Sequence, residues 1–283
     1  YFFKMKSPKI IVRNKGGIGN QLFIYAFSKS LSLDLKGELL LDNHSGFKND
    51  YYKRTNKLKH IIGSYSKEFK TINKYVYFIL KNTPKPLLEF LGVMIIVDDL
   101  SKLFLLDNRK LKNCKLIFVD GYFQSYKYFS HRHNEIFNRQ TIFKNFELSS
   151  EYDIFKNEIQ TKNSISIHIR KKEYSIAIDD SYYFKALSLM RNNNESVFIF
   201  SDDINQCKNI FKGSEFIFVE AQEVDEIQEL YLLSLFENQI ISNSSFSYWG
   251  ALLTLNANVK IIAPKNPGIG VNDNFYPLSW TLI

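Results

Sequence analysis

Five short runs in the second half of the chain are rich in β-branched and aromatic residues: "SISIHIR" (164–170), "SVFIF" (196–200), "FIFVE" (216–220), "QIISN" (239–243) and "VKIIAP" (259–264). The stretches between them are too long for hairpin turns and suit helices. Val224 to Glu237 is the clearest, with Ile227, Leu230, Tyr231 and Ser234 recurring at helical spacing beside acidic residues. Strands that alternate with helices in this way pair in parallel, because each crossover returns the chain to the same end of the sheet. The first half opens in the same rhythm. A strand at Ile10–Val12 leads into a glycine loop, a helix from Asn20 to about Ser32 and a strand at Glu38–Asp42. From Gly46 to Asn113 the pattern breaks into Tyr- and Lys-rich segments with Pro84 and Pro86, and a helical insertion is expected there. The predicted architecture is α/β: two Rossmann-like domains, residues 1–150 and 151–283, facing a cleft.

Composition supports domains with real cores, since 45% of the 283 residues are hydrophobic and 16% aromatic. Lys and Arg number 37 against 29 Asp and Glu, and the difference of +8 favours an anionic ligand, a nucleic acid or an acidic membrane surface. Cys114 and Cys207 have no Cys-x-x-Cys or Cys/His spacing, which argues against a disulfide framework or zinc site and fits a reducing cytosol. The most apolar stretch, Leu87 to Val97, is too short to span a bilayer and carries Glu89, and no signal-peptide pattern is present. A soluble, cytoplasmic protein is expected, with Met5 a candidate start and the sequons at Asn194 and Asn243 fortuitous.

Four stretches carry chemistry. In "KGGIGNQLFIYAFSKSLS" (15–32), Gly16, Gly17 and Gly19 allow either a tight strand-to-helix turn or a phosphate cradle. A nicotinamide dinucleotide reading draws on Asp42, which ends the second strand where a ribose-binding acid would sit; Leu22 in the place of the third small residue weakens it. In "SISIHIRKKEY" (164–174), alternation puts Ser166, His168 and Arg170 on one face at a strand's carboxyl end, where open α/β sheets bind ligands. Arg170 offers a planar fork for two phosphate oxygens, unless it pairs structurally with a carboxylate, and Lys171 and Lys172 add positive potential. "FIFSDDINQCK" (198–208) releases Ser201, Asp202 and Asp203, able to accept hydrogens from a guanine edge or to cap the next helix. No third oxygen-rich segment accompanies them, so no metal site is expected. "IISNSSFSYWGALL" (240–253) puts Asn243, Ser244, Ser245 and Ser247 at a helix N-terminus suited to an anion.

Together with "DGYFQSYKYF" (120–129), these segments resemble, in order and over nearly the whole chain, the bacterial α-1,2-fucosyltransferases. The resemblance implies a GT-B glycosyltransferase, inverting and metal-independent, that uses no cofactor and takes GDP-fucose as donor and a β-galactoside as acceptor. It implies that the C-terminal domain holds the nucleotide and the N-terminal one the acceptor. His168 and Asp202 would read guanine, Arg170 and Lys171 would hold the pyrophosphate, and Ser244 and Ser245 would line the pocket. Gly17, Asn20 and Gln21 would face the transferred sugar and acceptor. The family's second Arg, Gly and Asp are replaced here by Lys171, Lys172 and Glu173, which alters the loop and lengthens the carboxylate by one methylene. Glu173 and Asp179 are the carboxylates near enough in sequence to serve as the base for the acceptor hydroxyl.

Two other classes are weighed against this one. The basic charge and interleaved aromatics fit a polyanion or nucleic-acid binder, and Asp42 fits a nicotinamide oxidoreductase. The expectation is a glycosyltransferase with no nucleic-acid partner, acting in the cytoplasm, with room for peripheral association at the inner membrane face.

Overall fold

The computed structural model describes residues 7–62, 70–73, 75–98, 108–138, 142–144, 146–172, 178–192, 195–254, 258–266 and 275–283. The chain divides into two compact units, residues 1–144 and 145–283. Each unit has its own all-parallel sheet.

In the first unit the strands are β1 (Lys9–Arg13), β2 (Glu38–Asp42), β3 (Lys70–Thr71), β4 (Val93–Val97) and β5 (Leu116–Asp120), in the order β3-β2-β1-β5-β4. Ile10, Ile11 and Val12 in the middle of β1 are all buried, as expected of a central parallel strand covered on both faces. The helix Ile18–Leu35 is apolar nearly all round because it is itself core, with Phe23, Ile24, Ala26 and Phe27 buried. Gly16 makes the turn into it at φ +80, a backbone conformation that suits glycine. The region read as a helical insertion does contain helices Val76–Asn82, Lys85–Phe90 and Asn108–Lys112. It also contributes β3 and β4 to the sheet, and β4 is the second part of the apolar stretch Leu87 to Val97.

In the second unit the strands are β6 (Ser164–Ile169), β7 (Ser196–Ser201), β8 (Phe216–Phe218), β9 (Asn238–Ile240), β10 (Lys260–Ala263) and β11 (Thr281–Leu282), in the order β11-β10-β9-β6-β7-β8. One face of β6 presents Ile165, Ile167 and Ile169 to Tyr183, Ala186, Leu187 and Met190 of the helix Asp180–Met190. On the other side of the sheet, Phe198 and Phe200 pack with Tyr152 and Ile159 of the helix Ser150–Thr161 and with Leu232 and Leu233 of the helix Glu226–Leu233. Helix starts follow local chemistry: Asp179, Asp203, Asp225 and Ser244 each accept a backbone N–H one turn into the helix they cap. Cys114 and Cys207 are free thiols. Among the described residues no helix is long and apolar enough to cross a membrane.

Gly46 is the tightest point of the first unit, since a Cβ there would lie 2.0 Å from the carbonyl oxygen of Asn14 and 2.7 Å from Lys15 Cβ. Backbone cannot yield as a flexible side chain can. Gly46→Ala is expected to cost about 3 kcal/mol, read as a lowered midpoint in urea unfolding.

Candidate active site

The second sheet changes direction of winding at β6. Chain leaving β6 runs through the helix Asp180–Met190 to β7, and chain leaving β9 runs through the helix Ser245–Leu252 to β10 on the other side. The two loops therefore diverge, and a crevice opens at the carboxyl ends of adjacent strands, the usual ligand position in such sheets.

His168 lies there, on the face of β6 opposite the isoleucines, 5% exposed and with its ring 5.3 Å from that of Phe246. Burial first, and the nearby positive charge of Arg170 second, lower its pKa to about 3, so the imidazole is neutral in any ordinary buffer. Its Nδ1 lies 3.1 Å from Ser242 Oγ, which lies 3.2 Å from Ser247 Oγ. Ser247 Oγ has carbonyl acceptors in Ser242 and Ser244, 3.3 and 3.1 Å away. In the arrangement where Ser247 gives its proton to a carbonyl and Ser242 gives its own to Ser247, Ser242 Oγ accepts from Nδ1–H and Nε2 is left as an acceptor. A ligand meeting this nitrogen must bring an N–H or O–H.

Asp202, expected to read guanine, lies at the end of β7 and has partners of its own. Its carboxylate accepts the backbone N–H of Lys171 at 2.8 Å and of Lys172 at 3.1 Å, and Arg170 Nε lies 3.1 Å from Oδ2. A guanine edge at Asp202 would share the carboxylate with two backbone donors and with the facing Arg170 guanidinium, and in this structure Asp202 holds the loop after β6. Arg170 is likewise paired with a carboxylate, which fixes its orientation. The Lys171 ammonium, expected beside a pyrophosphate, forms an ion pair with Asp180.

Among the other residues named from sequence, Ser244 caps the helix Ser245–Leu252 through Phe246 N at 3.2 Å, and Ser245 is its half-buried first residue. Asp179 is also a cap, accepting from Ser181 N at 2.9 Å. The hydrogen bonds from Ser181 lower its pKa, the wrong direction for a general base. Glu173 lies outside the described residues.

In the first unit Gly17 has open space above it, with only Arg54 Nε inside 4 Å of a Cβ placed there. Half-buried Asn20 accepts from Gln124 Nε2 at 2.7 Å. Gln21, expected to face a ligand, is 1% exposed: its amide donates to the carbonyls of Gly16 and Thr55, both at 2.9 Å, and accepts from Lys57 N at 3.0 Å. It staples the glycine loop to the segment 55–57. Asp42, the residue behind the nicotinamide reading, is 1% exposed and accepts from His44 N at 3.0 Å, Ser45 N at 2.9 Å and the Ser45 hydroxyl, so it shapes its own turn.

Three features escaped the sequence reading. Ser242, inside the apolar-to-polar junction after β9, orients His168. Arg13, Lys15 and Asp120 meet at the carboxyl ends of the neighbouring strands β1 and β5 of the first sheet, with Asp120 3.3 Å from Arg13 Nη1 and 2.7 Å from Lys15 Nζ. Half-buried Glu229 has its pKa raised to about 7, by burial and then by the charges of Glu226, Asp225 and Asp202. Among the described residues no group of three or more His, Cys, Asp or Glu side chains is arranged to hold a metal ion.

A doubly wound unit with a neutral acceptor and an arginine at its switch point suits a nucleotide-bearing ligand, and the comparisons agree in class. Residues 9–281 match the profile of glycosyl transferase family 11, and the chain belongs to that family. It is 30% identical to an Escherichia coli alpha-1,2-colitosyltransferase over 271 residues, covering 86% of this chain and 87% of that one. It is 26% identical to the E. coli O-antigen biosynthesis glycosyltransferase WbnK, covering 91% and 94%. Its fold is similar to that of fucosyltransferase NodZ from Bradyrhizobium, with TM-score 0.54, 16% identity and coverage of 88% and 94%. Arabidopsis thaliana FUT1, solved as a mutant with GDP, gives TM-score 0.55 and 12% identity, with coverage of 93% and 72%. The protein is thus a glycosyltransferase of the GT-B class.

Glu229 supplies a pH test. A carboxyl whose pKa is raised on folding favours the native state most at low pH, and that contribution is lost as pH rises from the unfolded value through about 7. Glu229→Gln is expected to raise the melting temperature at pH 8 and to leave it nearly unchanged at pH 5. Parallel melting curves for the two proteins across that range would overturn the assignment.

Proposed function

We propose that the enzyme transfers L-fucose from GDP-β-L-fucose to the 2-hydroxyl of a β-galactoside with inversion. The observation that carries this reading is His168, held neutral with Nε2 as acceptor, beside Arg170 at the switch point of the second sheet. Guanine presents N1–H and an amino group on one edge, which suits such an acceptor, whereas the matching ring nitrogen of adenine is itself an acceptor. Arg170, oriented by Asp202, supplies positive charge to the departing pyrophosphate, the point where negative charge develops in the transition state. The N-terminus of the helix capped by Ser244 adds its dipole. Charge is met by side chains and helix amides, so transfer is expected to persist in EDTA. Glu173 is the carboxylate left as base for the acceptor hydroxyl, since Asp179 serves as a cap.

The relatives support this reading in different ways. A fucosyltransferase NodZ structure soaked with GDP-fucose shares the fold, at TM-score 0.50. The colitosyltransferase favours a second reading, the same 1,2 linkage formed with colitose as the transferred sugar. Incubation with the guanosine diphosphates of fucose and of colitose, followed by linkage analysis, separates the two.

Base recognition is tested by melting shifts with GDP, ADP and UDP, since a ligand that binds only the native state stabilises it by roughly 2.7 kcal/mol at a hundred times its dissociation constant. GDP should give the largest shift, and Ser242→Ala should shrink that lead by releasing the imidazole tautomer; equal shifts with all three nucleotides refute the guanine site. For the chemistry, Arg170→Lys keeps the charge and loses the fork, and kcat should fall on the order of 10²-fold while the protein remains folded. Near-normal kcat in that variant removes Arg170 from the mechanism.

A further inference from the structure

The first unit carries a cavity of about 830 Å³ at the carboxyl ends of β1 and β2, lined by Arg13, His44, Ser45, Gly46, Lys48, Asn49, Tyr75, Tyr77, Phe78 and Lys81. We propose that this cavity binds an acceptor glycan through an acidic group on the sugar, a carboxylate or a phosphate. The proposal rests on the glycosyl-transfer reading for the word acceptor, and on the cavity alone for the ligand chemistry.

Among the described lining residues three are cationic and none is a carboxylate. The nearby acids are engaged elsewhere: Asp42 is turned into its own loop, and Asp120 sits between Arg13 and Lys15, two cations for one anion. Arg13 is built in rather than draped on the surface. Its Nε donates to Ser45 Oγ at 3.2 Å, its Nη2 to Ser45 O at 3.3 Å, and its guanidinium lies 4.3 Å from the centre of the Tyr77 ring. Tyr77 is anchored in turn against Phe118 at 5.9 Å, and Lys81 approaches the same ring at 5.9 Å. A fixed arginine and an ammonium thus flank one aromatic ring. Tyr75 and Phe78 add aromatic faces that are 58% and 66% exposed, unusual for such rings and suited to the C–H face of a pyranose. Lys48 and Lys81, which also line the cavity, are exposed.

The test is equilibrium binding, without donor, of three matched disaccharides: a β-galactoside, the corresponding β-galacturonoside, and the β-galactoside 6-phosphate. At least one acidic sugar should bind tenfold or more tighter than the neutral one, with the preference falling as salt rises. The acid that wins distinguishes carboxylate from phosphate. In Lys48→Ala/Lys81→Ala the ratio of acidic to neutral affinity should fall at least fivefold. Equal affinities, no binding of any of the three, or a ratio that survives the double substitution overturns the proposal. GDP-induced stabilisation, measured on the same samples, reports on the donor reading separately, so the failure of one is not mistaken for the failure of the other.

Discussion

A parallel strand cannot reach its neighbour through a tight turn; it must cross over, and every crossover returns the chain to the same end of the sheet. That constraint places all the chemistry of this chain. In the second unit the crossovers from β6 and β9 leave in opposite directions, and the residues at the mouth of the gap, His168 with Arg170 and Ser242 with Ser244, come from segments some seventy positions apart in sequence. In the first unit Arg13 and Asp120 meet at the carboxyl ends of the neighbouring strands β1 and β5. Each unit gathers polar side chains at the carboxyl ends of its parallel strands, though the side chains differ. One presents a neutral acceptor beside a paired arginine, the other an excess of cations among aromatic rings.

Where periodicity was strong, the sequence was readable. The alternation in "SISIHI" puts Ile165, Ile167 and Ile169 into one core and His168 on the opposite face, as the structure has it. β9 is displaced from the expected Gln239–Asn243 to Asn238–Ile240, because the polar residues from Ser242 onward turn to feed and cap a helix. β4 was hidden inside a continuous apolar run, where helix and strand cannot be told apart by period. β5 was missed although "LIFVD" has strand composition; its place in the sheet is fixed by pairing with β1 and β4, which no local window contains.

The site was legible in residue types more than in roles. Short polar side chains serve both as caps and as binders, and neighbours in sequence divide the work in ways that spacing does not reveal. Of the adjacent pair Asp202 and Asp203, the second caps the helix Ile204–Ile210 and the first ties down a loop thirty residues upstream. Gln21 was expected at the ligand from the family resemblance; buried, it brackets backbone groups of the glycine loop and of the segment 55–57. Glu229 gave no signal at all, since its perturbation comes from Asp202, Asp225 and Glu226 gathered by folding.

The hold of Asp202 on the two amides after Arg170 has a consequence for how such a chain can drift. Surface loops ordinarily absorb insertions and deletions at little cost. Here one carboxylate spans Lys171 N and Lys172 N while facing the guanidinium just before them, so the count of residues between the end of β6 and those amides is set by the reach of a single side chain. The identity of the residues that supply the amides is much less constrained, because a backbone N–H is the same whichever side chain it bears. A lineage is therefore free to exchange the exposed side chain at 172, while Lys171 keeps its pair with Asp180 and the length of the segment stays fixed. Variation in this loop should take the form of substitution, with changes of length displaced to other turns of the sheet.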